Sequence, residues 1–494
     1  ALMIRLADLR ETKMGEVASA IEIYSEVLIQ DESNAEALAA LERLLQTPDN
    51  ELAVAEILEP IYRNAGEVEK LIGVHEIQTR RASSPERRIE LLHQIAELYE
   101  VGLDNASGAF EAMARALAED AGNLRTQEEL DRIGQLSGEM ERLAQVYEAR
   151  IEGLEDPHLV ASLYTKAAQI REVYLDHAEI AIAHYQKVLE LDDANLDAAT
   201  ALERLFAQTE RYEDLTQIYI KKAMMLHDAE EQKDYFYRAA SLYEETLQNT
   251  EAAIAVLGQI LELDPEELRA IDKQIELYLS LEQWEPLLAA YNHKADVVHD
   301  FDEKRRLYTE VGAVYERELQ DIPRAIDTYQ RILELAPDDM TAIGFLDALK
   351  EVTENWQELL GVLERQADLA DDPYEQIGYR YRIAELWHRR LGDPARAVDI
   401  AREILEVDPA HQPTLDALEA MIDEDVEALA AALVLDPIYR SMGEAAKLVR
   451  VLEVQVSAEQ DPVATVDLLH HIADLHENHL DAPAAAFEAY GRSV

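Results

Sequence analysis

The sequence predicts an all-α solenoid, a stack of antiparallel helix pairs with about four helices in each 72-residue unit. Three observations carry this expectation. Glycine (17) and proline (15) are scarce in the 494 residues, as an all-helical chain requires. Apolar residues recur at helical spacing. The same residue types return at fixed chain intervals, the mark of a repeat array. A chain of this length is also too long for one globular core.

The clearest copy of the motif runs from Leu307 to Pro337. Leu307, Val311, Val314 and Leu319 give its first helix one apolar face. Asp321 is placed to cap the second helix, and Pro323 falls in its first turn, where a missing N–H costs little. Ile326, Tyr329, Leu333 and Leu335 form the second stripe, and Pro337 marks the stop.

Tyr315 anchors the repeat. Its place is taken by Arg10, Tyr99, Arg171, Tyr243, Trp387 and His476, at steps of 72 residues flanked by steps of 89. Three residues before each anchor stands Ala7, Ala96, Ala168, Ala240, Gly312, Ala384 or Ala473. Ten residues after it stands Ala20, Ala109, Ala181, Ala253, Ala325, Ala397 or Ala486. Small residues at fixed places predict close helix contacts that a bulky side chain would overpack. The second half of the unit repeats through Met140, Tyr212, Trp284 and Trp356, and through Tyr147, Tyr219, Tyr291 and Leu363. Acidic joints such as LDDAN at 191–195 and LAPDD at 335–339 separate the halves.

The longer steps carry 17 additional residues, read near 53–72 and 430–449. Pro60 and Pro437 lie 377 residues apart within related wording, which predicts a super-repeat of one long and four short units. The expected organisation is one continuous array over 1–494, about 26 helices in all. Its units fall at about 1–89, 90–161, 162–233, 234–305, 306–377 and 378–466, with a partial unit at 467–494. Patterns that begin and stop in mid-repeat lead us to expect a piece of a longer array.

Net charge is −57, from 45 basic and 102 acidic residues. Such a surface repels phosphate backbones and anionic headgroups, which argues against nucleic acid and membrane-surface binding and favours a basic partner. No apolar run approaches the roughly 20 residues of a membrane span. A soluble protein, cytoplasmic or periplasmic, is expected. With no cysteine, disulfides and thiolate metal sites are excluded.

The order of small residue, aromatic, Ala, aromatic and Pro resembles the tetratricopeptide repeat (TPR). Gly312, Tyr315, Ala325, Tyr329 and Pro337 match it, as do Ala240, Tyr243, Ala253 and Pro265, with a turn one residue longer than the family's usual one. The resemblance implies a right-handed superhelix whose first helices line an inner, partner-binding groove. It turns the residue after each anchor inward, giving an acidic ladder through Glu100, Glu172, Glu244 and Glu316. Beside it, six residues before the anchors, it places His93, Thr165, Tyr237, Thr309, Tyr381 and His470. Carboxylates suit Arg and Lys, and Tyr and His add ring faces and hydrogen bonds. The carboxylate clamp of one TPR subclass finds only scattered cations here, Lys166, Arg238 and Arg382.

His476 and His479 lie one helical turn apart, but their repeat positions explain them without metal. The three tryptophans read as packing residues. No phosphate loop, HExxH or GxSxG motif occurs, so no catalysis and no cofactor are expected. The expected role is a protein-interaction scaffold or assembly adaptor. The rivals are a self-assembling lattice and a regulatory arm of a larger enzyme.

Overall fold

The computed structural model describes residues 1–494, and the chain is an all-α helical-repeat solenoid without a strand. It divides into two compact units, 1–263 and 264–494. The first contains α1 (Leu2–Leu9), α2 (Val17–Gln30), α3 (Ala35–Leu44), α4 (Glu51–Ala65), α5 (Val68–Arg81), α6 (Pro85–Glu97), α7 (Ala106–Glu119), α8 (Leu124–Ser137), α9 (Met140–Ile151), α10 (Pro157–Val173), α11 (Ala178–Leu191), α12 (Leu196–Gln208), α13 (Tyr212–Met225), α14 (Ala229–Ser241) and α15 (Thr250–Leu263). The second contains α16 (Leu268–Ser280), α17 (Trp284–Val297), α18 (Phe301–Arg317), α19 (Ile322–Leu335), α20 (Met340–Val352), α21 (Trp356–Leu369), α22 (Pro373–Leu386), α23 (Pro394–Val407), α24 (Gln412–Asp423), α25 (Ala428–Met442), α26 (Ala445–Ala458), α27 (Pro462–Asn478) and α28 (Pro483–Arg492).

Both small-residue columns are buried throughout. From Ala20 to Ala325 the column ten residues past the anchor is 0% exposed, and Ala397 and Ala486 are at 3% and 4%. The reason for smallness is visible at Gly312, where a Cβ would come within 2.4 Å of the Tyr329 ring. The anchors themselves are only partly buried, except Arg171. Leu319, expected on the first helical face, falls beyond the end of α18 and is half-buried. The core is distributed along the chain in clusters, as in a stack whose repeats contact only their neighbours.

The longer turn has a single backbone solution in all seven copies. The anchor carbonyl accepts the N–H of the residue six positions on, from Glu16 N to Arg10 O (2.9 Å) through Asp321 N to Tyr315 O (2.8 Å) to Ala482 N to His476 O (2.9 Å). The residue before that donor is always left-handed: Gly15, Asp104, Asp176, Gln248, Gln320, Gly392 or Asp481. After α1, α6, α14 and α22 the last turn widens into a π-turn that contains the anchor. The donor position then caps the next helix, with Asn105, Asn249, Asp321 and Asp393 each accepting a backbone N–H three residues on. The acidic joints work likewise: Asn34, Asn123, Asn195 and Asp339 cap α3, α8, α12 and α20.

The structure corrects the expected count of 26 helices to 28. Where short units have α8 alone, the long units have two helices, α3 with α4 and α24 with α25. The reason is that both ends of this segment are fixed by repeat-specific contacts. Its start is set by the joint, where Asn34 caps α3 and His411 opens α24, and its end by Gly66 and Gly443, which hold the left-handed place of Gly138. Leu71 and Leu448 beyond them are buried like Leu143, Leu215, Leu287 and Leu359. Residues 66–72 and 443–449 are therefore ordinary repeat, and the added length lies upstream as one further helix.

A side chain in the left-handed region costs about 1–2 kcal/mol, part of which glycine returns as backbone entropy. Gln248→Gly and Gln320→Gly are expected to stabilise by about 0.5–1 kcal/mol each, raising the urea midpoint. Ala325→Arg, which forces a guanidinium into a fully buried contact, is expected to destabilise the fold by several kcal/mol and so to lower the thermal midpoint markedly. Unchanged melting would remove the small-residue column from the account of stability.

Candidate partner-binding groove

In the first unit, α6, α8, α10 and α12 are the first helices of successive pairs, and their side chains line a series of bays. One cavity of about 510 Å³ is lined by His93 and Glu100 on α6 and its π-turn, and by Arg125, Glu129 and Arg132 on α8. An adjoining cavity of about 450 Å³ adds Glu86, Glu119 and Asp120 around His93. A third, of about 480 Å³, is lined by Asp131, Thr165, Lys166, Glu172, Tyr174, Asp197 and Arg204 from α8, α10 and α12. The structure thus brings His93 together with Glu100, and Thr165 together with Glu172. In the second unit Tyr381 lines a smaller cavity of about 220 Å³ between α22, α23 and α24. Tyr237 and Glu244 are half-buried on α14 and its π-turn, Thr309 and Glu316 are half-buried on α18, and His470 is exposed on α27.

The ladder carboxylates are not bare. Glu100 receives both terminal nitrogens of Arg132, at 2.6 and 2.7 Å. Glu172 receives Arg204 Nε at 2.9 Å and the Tyr185 hydroxyl at 3.2 Å. Glu11, one rung earlier, is held by Arg43 (2.5 Å) and Tyr24 (3.4 Å). Glu316 keeps only the tyrosine, Tyr329 at 3.4 Å. The hydrogen bonds from Arg132 hold the Glu100 carboxyl below its ordinary value. The partner arginines recur at the repeat interval, so the sequence contained the signal, which emerges only when positions 32 apart are compared.

A second acidic column lies four residues beyond the capping joints' first turn and was missed by sequence reasoning. Glu42, Asp131, Glu203, Asp347 and Glu419 sit in equivalent places on α3, α8, α12, α20 and α24. Tyr62 donates to Glu42 (2.9 Å), Tyr147 to Asp131 (2.6 Å), and Tyr439 to Glu419. The scattered cations all turn to this column. Lys166 binds Asp131 (2.5 Å), Arg382 binds Asp347 (2.6 and 2.9 Å), and Arg238 lies 3.9 Å from Glu203. Cations already holding carboxylates are poor material for a clamp on a chain terminus.

The neighbouring column is also internally engaged. His93 shares a 2.9 Å hydrogen bond with the buried Thr126, and burial pushes its imidazole below the ordinary value. Thr165 and Thr309 donate back to carbonyls of their own helices. Tyr381 packs edge-on against His411, and His470 against Tyr490. The tryptophans are half-buried, and Trp356 and Trp387 stack under Arg390 and Arg396. No three His, Asp or Glu side chains converge as a metal site would require, and no helix is long and apolar enough to cross a membrane.

Arg171 is the one anchor at which a charge is buried, 5% exposed where four of the other copies carry Tyr or Trp. Glu148 receives its Nε and a terminal nitrogen at 2.9 Å each, Glu141 takes the other terminal nitrogen, and His184 adds a 2.9 Å contact to Glu148. Hydrogen bonds from Arg171 hold both carboxyls below their ordinary value. A depressed folded-state value adds stability that is complete above the unfolded value, near pH 4.3, and is lost as pH falls below it. Arg171→Met is expected to cost about 2 kcal/mol at neutral pH and to flatten the decline of the thermal midpoint between pH 4.5 and 3. A decline as steep as that of the wild type would show that this cluster does not govern acid stability.

The tetratricopeptide repeat model matches residues 234–266. Among solved structures, the complex of Naa15/Naa10 bound to HypK-THB is similar over 99% of this chain and 79% of that one, at 12% identity and a TM-score of 0.25. A tetratricopeptide repeat protein from Parabacteroides merdae is similar over 53% of this chain and 98% of its own, at 13% identity and a TM-score of 0.23. MamA is similar over 35% of this chain and 90% of its own, at 22% identity and a TM-score of 0.20. Scores this low assign no partner and no activity. No curated protein gives a significant sequence match. With the same small residues and the same turn hydrogen bond returning in all seven copies, the chain is a helical-repeat protein, of which residues 234–266 match the tetratricopeptide repeat.

Proposed function

We propose that this chain is a protein-interaction scaffold whose grooves take an extended or helical segment of a partner with a basic surface. One observation carries the reading: successive first helices leave bays of several hundred Å³ that are richer in carboxylates than in cations. Glu100 and Glu172 are rungs whose charge is shared with arginines, so they set the shape of the groove and hold the arginine forks in place. Exposed acids at the bay margins, Glu86, Glu97 and Asp197, supply the attraction. Charge of this kind speeds association and selects against acidic partners more than it adds raw affinity. The net charge of −57 acts in the same direction over the whole surface.

The experiment is capture of partners by the purified chain, with Glu86, Glu97 and Asp197 changed together to Lys. These side chains are exposed and change little in the fold, so the melting profile is expected to hold within about 0.5 kcal/mol. Retention of basic partners is expected to fall at least tenfold and to lose most of its salt dependence. An unchanged set of captured proteins at equal yield would remove the acidic bays from the mechanism. Light scattering that rises with concentration, with nothing captured, would favour self-association.

A further inference from the structure

The 220 Å³ cavity in the second unit has a cause that the repeat makes legible. Fourteen residues after the anchor, the other copies place a large side chain: Tyr24, Met113, Tyr185, Leu257, Tyr329 and Tyr490. All except the end-repeat Tyr490 are at most 3% exposed. In the copy anchored at Trp387 that place is Ala401, and the cavity lies against it. In the copy anchored at Tyr315 the Tyr329 ring lies against the small residue before the anchor, Gly312, where a Cβ would come within 2.4 Å of it, and here that residue is Ala384. The arginine place of Arg43, Arg132 and Arg204 is Ala420. The copy anchored at Tyr315 also has an alanine, Ala348, in the arginine place, so the loss peculiar to this copy is the large side chain at Ala401, and the walls that faced it remain.

The polar partner has changed in step. In the tyrosine copies the phenol donates to the residue after the anchor, at 3.4 Å for Tyr24 on Glu11, 3.2 Å for Tyr185 on Glu172 and 3.4 Å for Tyr329 on Glu316. Here that residue is His388, which lines the cavity. Its Nε2 lies 3.9 Å from Glu424, and its Nδ1 is buried without a hydrogen-bond partner. With the ring proton on Nε2, facing the carboxylate, Nδ1 is an acceptor. A buried acceptor without a donor is costly, so the ring gains by turning Nδ1 out of its buried position toward a ligand O–H. The exposed Arg389 and Glu424 mark the solvent side of the cavity.

We infer that this cavity is a binding subsite for a phenolic side chain, a tyrosine presented by a partner peptide, which fills from outside the place that other copies fill with their own tyrosine. The alanine walls supply apolar contact, as apolar cavities in proteins do for aromatic guests, and His388 Nδ1 accepts the phenol O–H. Delivery by a partner chain rests on the scaffold reading above. The cavity's preference for a phenol does not.

The test uses 4-methylphenol, the tyrosine side chain itself, titrated into the full chain and followed on alanine methyl resonances by NMR. Saturable shifts at Ala401 and Ala420 are expected, with toluene about tenfold weaker (~1.4 kcal/mol) for want of the hydroxyl. His388→Leu is expected to erase that difference while leaving toluene binding in place. Ala401→Tyr refills the cavity from within, and is expected to raise the melting temperature and abolish binding. Ala401→Leu, which restores the residue type of Leu257, serves the same purpose if the larger ring does not fit. No shift with 10 mM 4-methylphenol (a probe excess of about tenfold over millimolar affinity), or undiminished binding in both filled variants, overturns the subsite. Binding of 4-methylphenol by a chain that captures no partner would instead count against the scaffold reading alone.

Discussion

Close approach between helices, made possible by one small residue on each side, is the constraint on which the rest depends. Ala325 has no exposed surface, and Gly312 leaves room for the Tyr329 ring where even a methyl group would collide. Helices held at that separation fix the register of every other contact in the unit. Buried leucines, ion pairs and capping bonds then recur because the backbone frame recurs. Stability of such a stack is close to a sum of neighbouring interfaces, so local substitutions act locally.

The turn between paired helices shows how a backbone requirement can outlast a change of side chain. The six-residue carbonyl bond and the left-handed residue persist whether that residue is Gly, Asp or Gln. Amide and carboxylate side chains tolerate this conformation better than branched ones do. The next position usually carries the cap, so one short segment ends a helix, turns the chain and starts another. The π-turns widen the last turn around the anchor.

Electrostatics in the groove follow from proximity. A chain with 102 acidic residues suggests an open field of negative charge, yet the inner carboxylates of the first unit are held by Arg43, Arg132 and Arg204. The few cations are spent where two helices bring carboxylates closest, and the surplus acid remains on exposed margins. This arrangement ties the groove floor together with ion pairs and leaves the unpaired surplus of acid on the rim. The copy anchored at Trp387 breaks the pattern at two positions together, His388 and Ala401, and those changes coincide with a cavity.

The sequence by itself determined the helical class, the 72-residue period, the capping residue Asp321, the acidic joints and the buried alanine columns. Each of these depends on local propensity or on a residue recurring at a fixed interval. Only the tertiary structure decided that the additional length forms a helix of its own ahead of Gly66 and Gly443. A count of residues between anchors measures how much is added, whereas contacts at both ends decide where it sits. The tertiary structure also decided that Glu100 and Glu172 meet arginines, that Lys166 and Arg382 belong to a second acidic column, and that the loss of a tyrosine at Ala401 leaves a cavity. These are facts about which side chains face each other across helices some thirty residues apart, and that distance is set by packing.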